Sequence, residues 1–290
     1  MTQQVNIGIA GGTGGMGRWF EKYFTAAGHR VLIAGRTTEL KYLDLVEQCQ
    51  VVALSTPVEP ALRIAAEIGP AMSPEQLLLD FCSQKKAIVE KMAGAAAADV
   101  IGTHPMFAPN TPFLAGQNVI LCPARDRHGW GAWLESMFVR DGAVVTNMDP
   151  AEHDKKMAVT QSLTHFLTLS FARTLQKLDI KPEEAFTFAT PIFRFNIDLV
   201  GRMFAQDIDL YADLVGNNPH TREVLKVFAA AGRECHQAFF PESSDSGEGP
   251  TAFLNDILGY FGRDFCEQAL RETSRALRTM YENTPEEDPE

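Results

Sequence analysis

The chain is poor in cysteine, in basic residues and in long apolar runs, and each shortage excludes a class of protein. Its five cysteines are scattered through 290 residues without C-x-x-C spacing. This pattern argues against a metal site or a disulfide framework and suits a reducing compartment. The formal net charge of −11 argues against a nucleic-acid or acidic-membrane partner. No apolar run has the length of a membrane span and no signal-peptide pattern opens the chain, so we expect a cytoplasmic protein.

A glycine-rich string lies between an apolar run at residues 5–10 and a helical pattern that starts at residue 18. Its G-x-G-x-x-G spacing in this context is typical of dinucleotide binding, although an ordinary glycine-rich turn is the alternative. The first glycine allows a tight turn, the second lets the backbone approach a pyrophosphate, and the third lets the helix pack closely. The free N–H groups of the helix start then bind phosphate. The predicted cofactor-binding residues are Gly12, Thr13, Gly14, Gly15, Met16 and Gly17.

The residues after the second predicted strand indicate which nicotinamide cofactor binds. An NAD site commonly has an acid there, which binds the ribose 2′-hydroxyl. Here residues 31–34 are followed by Gly35, Arg36, Thr37 and Thr38, without an acid. Arg36 could pair with a 2′-phosphate while the two threonines donate hydrogen bonds, which favours NADP over NAD. Arg36 could instead stack on the adenine of NAD or lie in a solvated loop. Ser55, which ends the third predicted strand, is also expected to contact the cofactor.

The pattern of the chain changes once, near residue 149. Strands are predicted at residues 5–10, 31–34, 51–55, 77–81, 100–102, 119–122 and 143–146. Long helices are predicted at 151–178, 192–215, 221–239 and 252–281. We therefore predict an α/β fold, with a Rossmann-type doubly wound parallel sheet in residues 1–149 and an all-helical domain in residues 150–283. Residues 284–290 are expected to form an acidic disordered tail. The helices are apolar enough to need covering by a second copy, which predicts a homodimer.

Polar residues follow the fourth and fifth predicted strands, where ligands of open α/β sheets bind. His104 is a candidate base for a substrate hydroxyl proton, because imidazole is well tuned for proton transfer near neutral pH. Ser83 and Lys85 supply a hydroxyl and a positive charge. The alternatives are that His104 is an ordinary loop histidine and that Ser83 caps the following helix.

Four residues of the predicted helical domain are candidates for substrate binding. Arg194 and Arg202 lie eight residues apart, about two helical turns, and could bind carboxylates through bidentate contacts. His153 and His165 lie on the first long helix. The alternatives are surface ion pairs of both arginines with Asp198, a capping role for His153 and a buried, hydrogen-bonded His165.

Several ordered motifs carry a resemblance that spans nearly the whole chain. They are Gly11 to Arg18, Asp80-Phe81-Cys82-Ser83-Gln84-Lys85, Gly102-Thr103-His104-Pro105-Met106-Phe107, Glu152-His153-Asp154, Pro191-Ile192-Phe193-Arg194, Val200 to Asp207 and Leu210-Tyr211-Ala212-Asp213. In these motifs the chain resembles the prephenate dehydrogenase family. The resemblance implies oxidative decarboxylation of a small cyclohexadiene substrate, prephenate, to 4-hydroxyphenylpyruvate, with hydride transfer to NAD(P).

The resemblance also implies roles for individual residues. His104 would interact with the ring hydroxyl and assist its deprotonation, with Ser83 near the same group. Arg202 would bind the carboxylate end of the substrate, and Arg194, Lys85, His153 and His165 would support the pocket. A base with the reference pKa of about 6.5 predicts that activity falls below that pH.

Departures from the family pattern fall near the reacting end of the substrate. Ala108 stands where the family has glycine, and residues 109–113 and 81–85 also differ from the common forms. These changes keep 4-amino-4-deoxyprephenate and arogenate open as alternative substrates. Outside the family, the alternatives are another Rossmann reductase and an NADP-binding sensor without turnover.

Overall fold

The computed structural model describes residues 4–241 and 249–282. The chain divides into two compact units, Met1–Thr160 and Gln161–Glu290. The domain boundary expected at residue 149 stays a prediction. The acidic tail expected at residues 284–290 lies outside the described residues.

The first unit contains a seven-stranded sheet of order β2-β1-β3-β4-β5-β6-β7. Its strands are β1 Asn6–Ala10, β2 Arg30–Ala34, β3 Val51–Leu54, β4 Leu77–Asp80, β5 Asp99–Pro105, β6 Asn118–Arg125 and β7 Val144–Asn147. The first five strands run parallel, as predicted. The last two are reversed, since β6 pairs antiparallel with β5 and β7 pairs parallel with β6. The reversal follows from the connection after β5, which contains no crossover helix and returns the chain at the same edge.

Helices cover both faces of this sheet. They are α1 Gly15–Ala26, α2 Tyr42–Gln48, α3 Val58–Ile68, α4 Lys86–Ala95, α5 Trp130–Arg140 and α6 Pro150–Met157. One face packs against Leu45, Ile64 and Met92, and the other against Phe20 and Phe138. All residues of β3 and β4 are buried, as expected for central parallel strands that are covered on both sides. The predicted doubly wound fold is confirmed.

Helix α6 begins at a well-formed cap and ends in an unusual turn. The Asp149 side chain accepts hydrogen bonds from the N–H groups of Ala151 and Glu152, and Pro150 occupies the first helical position. A π-helical segment, Ala158–Leu163, follows α6. The sequence pattern predicted one uninterrupted helix at residues 151–178. A π-helical turn inside a helix does not interrupt the helical pattern of the sequence, so the pattern could not reveal it.

In the second unit, every element among the described residues is a helix, as predicted. After the π-helical segment these are α7 Thr164–Lys177, α8 Pro182–Phe186, α9 Pro191–Phe204, α10 Ile208–Gly216, α11 Thr221–Phe239, α12 Pro250–Phe261 and α13 Arg263–Glu282. Two of the predicted long helices are broken. Asp207 caps α10 through the N–H of Asp209, and Gly262 adopts a φ of +81° between α12 and α13.

The second unit leaves much apolar surface exposed. Buried apolar side chains are few among its described residues, and include Ile197 and Met203. Large exposed side chains are common on α9 to α13, among them Phe204, Ile208, Tyr260, Phe265 and Leu270. Apolar patches of this kind mark interaction surfaces. Among the described residues, no helix combines the length and apolar character needed to cross a bilayer.

Candidate active site

The turn after β1 is shaped by close packing of its glycines. Gly11 has a φ of +87°. A Cβ atom at Gly12 would lie 2.4 Å from the Ile33 Cγ2. A Cβ atom at Gly17 would lie 2.6 Å from the Gly12 Cα and 2.7 Å from the Gly11 carbonyl oxygen. Helix α1 therefore approaches the turn as closely as the sequence motif requires.

Gly14 is different, because it has space beside it. A Cβ atom there would lie 3.5 Å from the Gly11 carbonyl oxygen, an ordinary van der Waals contact. Helix α1 starts at the next residue, Gly15, and Gly14 makes no side-chain cap. The first N–H groups of α1, including those of Met16 and Gly17, thus start at a turn whose backbone a ligand can approach. This arrangement fits the pyrophosphate of a dinucleotide.

The other predicted cofactor residues lie around the same turn. Arg36 and Thr37 are exposed after β2. The Thr38 hydroxyl accepts the N–H of Gly35 at 2.7 Å and lies 2.9 Å from the Leu40 carbonyl oxygen, so it shapes the turn from within. The Ser55 N–H donates to the Ala10 carbonyl at 2.7 Å, which places Ser55 beside the glycine turn.

The segment after β5 packs against the start and the first turns of α1. A Cβ atom at Gly15 would lie 3.1 Å from the Pro109 Cγ. The Trp19 Nε1 donates to the Thr111 carbonyl at 2.8 Å, and the Trp19 ring lies 4.7 Å from that of Phe107. The stretch in which the sequence departs from the family pattern is therefore held against the helix of the glycine turn.

His104 lies near the carboxyl end of β5 and only 3% of it is exposed. Its Nδ1 lies 2.8 Å from the Nε2 of His153, a fully buried residue of α6. The Nδ1 of His153 lies 2.8 Å from the Asp154 Oδ1. Two histidines that the sequence separates by 49 positions are therefore brought together, and a carboxylate stands behind them.

Asp154 joins this pair to the start of α4. Its two carboxylate oxygens accept the backbone N–H groups of Lys85 at 2.8 Å and Lys86 at 3.0 Å. Burial favours the neutral acid, but the hydrogen bonds from His153 and from these two N–H groups outweigh it. They hold the pKa of Asp154 below its usual range.

Lys85 and Asp80 form an ion pair with no exposed surface on either side chain. Asp80 ends β4, and the Lys85 ammonium also donates to the Thr103 carbonyl at 3.0 Å. Burial raises the pKa of the Asp80 carboxyl, against the lowering effect of the Lys85 ammonium. Ser83 is half-buried in the loop between these two residues. The ammonium of Lys85, predicted to contact substrate, is thus directed into the protein.

The environment of His104 favours its neutral form. Burial lowers its pKa well below the ordinary value of 6.5, and the charges of Lys85 and His153 act in the same direction. The expectation that activity falls below pH 6.5 used the reference pKa, and the lowered pKa of His104 moves the expected fall to lower pH. A base with a lowered pKa stays unprotonated further into the acid range.

The remaining predicted residues belong to the second unit. The His165 ring lies 4.9 Å from that of Tyr211. Burial raises the pKa of Tyr211 and the positive charge of Arg202, an exposed residue, opposes that rise. His165 therefore packs against Tyr211, and Arg202 lies close enough for its charge to act on the Tyr211 hydroxyl. The Arg194 guanidinium lies 5.2 Å from the centre of the Phe186 ring.

Three residues of these clusters were missed by the sequence predictions. Asp80 is a lone acid at the end of an apolar strand, and such a buried charge signals a partner. Asp154 directly follows a predicted site residue, and Tyr211 lies in a motif that carried the resemblance. Neither was distinguishable by spacing from an ordinary helix residue.

Comparison with known proteins identifies two family models in the chain. The model described as prephenate dehydrogenase, nucleotide-binding domain, matches residues 25–147. The model described as prephenate dehydrogenase, dimerization domain, matches residues 149–244.

Curated relatives match over most of the chain. A probable arogenate/prephenate dehydrogenase of Methanocaldococcus jannaschii is 30% identical over 281 residues, which cover 90% of this chain and 62% of the relative. The T-protein of Haemophilus influenzae is 30% identical over 274 residues, which cover 94% of this chain and 71% of the relative. The chain thus spans less than two thirds of the archaeal protein.

Solved structures agree in fold. Prephenate dehydrogenase from A. aeolicus, in complex with hydroxyphenyl propionate and NAD+, matches with a TM-score of 0.66 and 18% identity. The match covers 96% of this chain and 99% of that one. Synechocystis arogenate dehydrogenase matches with a TM-score of 0.63 and 17% identity, over 95% and 99% of the two chains.

Proposed function

The chain belongs to the prephenate dehydrogenase family, and from that premise we propose that it catalyses the oxidative decarboxylation of prephenate to 4-hydroxyphenylpyruvate with NAD(P). One observation carries the proposal. His104 is a buried, neutral imidazole at the carboxyl end of β5, and a second histidine and a carboxylate orient it. A reaction that removes a hydroxyl proton needs such a base.

The glycine turn at residues 12–17 holds the pyrophosphate of the dinucleotide in this proposal. Arg36 and Thr37 are exposed after β2, and residues 35–38 contain no acid of the kind that binds the ribose 2′-hydroxyl of NAD, which supports NADP over NAD. Thr38 contributes by holding the turn that carries them. A bound nicotinamide supplies the hydride acceptor for the hydroxyl-bearing carbon of the substrate.

The chain itself supplies the base and the groups that orient the substrate. His104 accepts the hydroxyl proton at Nε2, and Ser83 hydrogen-bonds the same hydroxyl. As the proton and the hydride leave, the ring carboxylate departs as carbon dioxide and the electrons of the broken carbon–carbon bond complete the aromatic ring. The proton then returns from His104 to the oxygen of the product, which keeps its hydroxyl. Arg202, with Tyr211 and His165 beside it, binds a substrate carboxylate, and Arg194 supports this group. Lys85 acts by positioning the loop at Ser83, because its ammonium is paired inside the protein.

We also propose that the second unit forms a homodimer. The family model that covers residues 149–244 is described as a dimerization domain. The apolar side chains exposed on α9 to α13 are the surface that a second copy would cover.

The test is a turnover assay that crosses prephenate, arogenate and 4-amino-4-deoxyprephenate with NAD and NADP and follows the absorbance of reduced nicotinamide. We expect prephenate to be oxidised, with the higher kcat/KM for NADP. If only arogenate or only 4-amino-4-deoxyprephenate is oxidised, that compound and not prephenate is the substrate. No formation of reduced nicotinamide with any of the three compounds would contradict the dehydrogenase proposal.

A variant pair links the activity to the base. His104→Asn should lower kcat by about 10²–10⁴-fold, because a general base contributes that much. His128→Asn is the matched control, since His128 is part-exposed and pairs with Asp99 in another part of the first unit. Equal activity of the two variants would contradict the assignment of His104.

A further inference from the structure

Four groups form a continuous buried chain from the end of β5 to the start of α4. The contacts join His104 to His153 and His153 to Asp154 at 2.8 Å each. Asp154 then accepts the N–H of Lys85 at 2.8 Å. None of these four residues is more than 3% exposed, so water does not screen their interactions.

The protonation of this chain follows from its fixed end. A backbone N–H can only donate, and an ionised Asp154 carboxylate can only accept. The His153 Nδ1 must therefore carry a proton to donate to Asp154. In a neutral His153 the Nε2 is then an acceptor, and the proton between the two rings belongs to the Nδ1 of His104. This arrangement leaves the Nε2 of His104 unprotonated.

Charges on either side of the two histidines differ in sign. The Lys85 ammonium and complete burial disfavour a cation on His104. The Asp154 Oδ1, in contrast, lies 2.8 Å from the His153 Nδ1, so a negative charge stands beside the second ring. The ion pair of Lys85 with Asp80 fixes the ammonium in place. Asp154 therefore attracts a positive charge more strongly on His153 than on His104, which lies one ring further away.

We propose that His104 and His153 form a two-step proton relay that ends beside Asp154, an inference that rests on the proposed dehydrogenase function. The substrate O–H bond breaks and an N–H bond forms at the His104 Nε2. The N–H bond at the His104 Nδ1 then breaks and one forms at the His153 Nε2. The products of the relay are a neutral His104 and an imidazolium on His153, paired with the Asp154 carboxylate. After decarboxylation the proton returns by the reverse steps to the product oxygen, which restores the hydroxyl and both histidines. His153 and Asp154 are thus positioning residues that act through His104.

The first test reads the tautomer directly and needs no turnover. Nitrogen-15 NMR of histidine-labelled protein, near neutral pH and without substrate, distinguishes protonated from unprotonated ring nitrogens. We expect a proton on the Nδ1 of both His104 and His153, with both Nε2 atoms unprotonated. A proton on the His104 Nε2 of the unaltered protein would overturn the relay.

The second test removes the charge at the fixed end with Asp154→Asn. The Lys85 N–H and the His153 Nδ1 share the Asp154 Oδ1, so an asparagine oxygen at that position still accepts both bonds. The variant lacks the negative charge that pairs with the imidazolium on His153, so the relay has no stable end point. We expect kcat to fall at least about 100-fold. Asp149→Asn is the matched control, because the Asp149 side chain caps α6 through the N–H groups of Ala151 and Glu152, and the Asp149 carbonyl that accepts the His153 N–H stays unchanged. Equal kcat in both variants would overturn the proposal.

The third test compares His153→Gln in two backgrounds. In the unaltered protein it should lower kcat at least about tenfold. The glutamine side-chain oxygen can accept a hydrogen bond from the His104 Nδ1–H, but it cannot take up the proton. In the His104→Asn background it should change kcat less than twofold, since the relay acts only through His104. Equal losses in both backgrounds would mean a merely structural role for His153. If the unaltered protein turns over no substrate, the proposed function fails. The NMR result still decides which ring nitrogens of His104 and His153 carry protons.

Discussion

The buried ion pair between Lys85 and Asp80 offers a sharp test of how the site is built. Lys85→Met keeps most of the side-chain stem and removes the ammonium. Asp80 then loses its partner, and the Thr103 carbonyl loses a hydrogen bond. Both charged side chains are completely buried, so the cost of breaking the pair should be about 3–5 kcal/mol of the free energy of unfolding.

The double variant Lys85→Met/Asp80→Asn should recover at least half of that loss. Asparagine removes the unpaired charge, and its oxygen can still accept the Cys82 N–H that the Asp80 Oδ1 accepts at 2.8 Å. Urea denaturation near neutral pH measures the free energies. Lys91→Met, an exposed position on α4, is the control and should stay within about 0.5 kcal/mol of the unaltered protein.

The same variants separate two roles for Lys85. If the ammonium serves the ion pair, removing it also raises the pKa of His104, and the acid limb of kcat/KM moves to higher pH. If Lys85 contacts substrate, KM rises at unchanged stability and Asp80→Asn restores nothing. A loss of stability below about 1 kcal/mol would refute the ion-pair reasoning.

Four further outcomes are expected. Gly14→Ala should raise the Kd for NADP at least about tenfold, or 1.4 kcal/mol, because the new Cβ fills space that the pyrophosphate needs. The free energy of unfolding should stay unchanged. Gly94→Ala, at a position with open space around it, is the control and should leave the Kd unchanged. Arg36→Ala should lower the preference for NADP over NAD in kcat/KM about tenfold, and an unchanged ratio would remove Arg36 from the cofactor site. Because the pKa of His104 is lowered, the acid limb of kcat/KM should lie below pH 6.5, and a limb at or above that value would contradict the burial argument. Leu270→Asp, at a 67% exposed position of α13, should shift the protein from dimer to monomer in light scattering, and an unaltered mass would place the interface elsewhere.

The strands and the glycine turn could be predicted because their signals are local. An apolar run of four or five residues, followed by the spacing of Gly12 and Gly17, specifies a strand, a tight turn and a helix. The direction of β6 and β7 carries no such signal, since an apolar run reads the same in either direction. The direction of β6 follows from a connection after β5 that contains no helix, and this consequence can be recognised only once the strand pairing is known.

Some residues of the candidate site could be predicted from the sequence, but the hydrogen bonds and ion pairs that join them could not. His104 and Ser83 lie at strand ends, where ligands of this fold bind. The hydrogen bonds of Asp154 to the start of α4 join positions 69 residues apart, and no spacing in the sequence reports them. The buried partner of Lys85 was missed because a lysine after a strand resembles a substrate contact until its side chain is placed.

The long span between Asp154 and α4 also orders the events of folding. The strands β5, β6 and β7 lie between the two segments in the chain, so the contact of Asp154 with the start of α4 closes a loop of 69 residues. Contacts at such separation form late, because their loop-closure entropy must first be offset by local structure. Until then α4 lacks the Asp154 cap and His104 lacks its neighbour. During refolding, helix and strand content should therefore return before catalytic activity does.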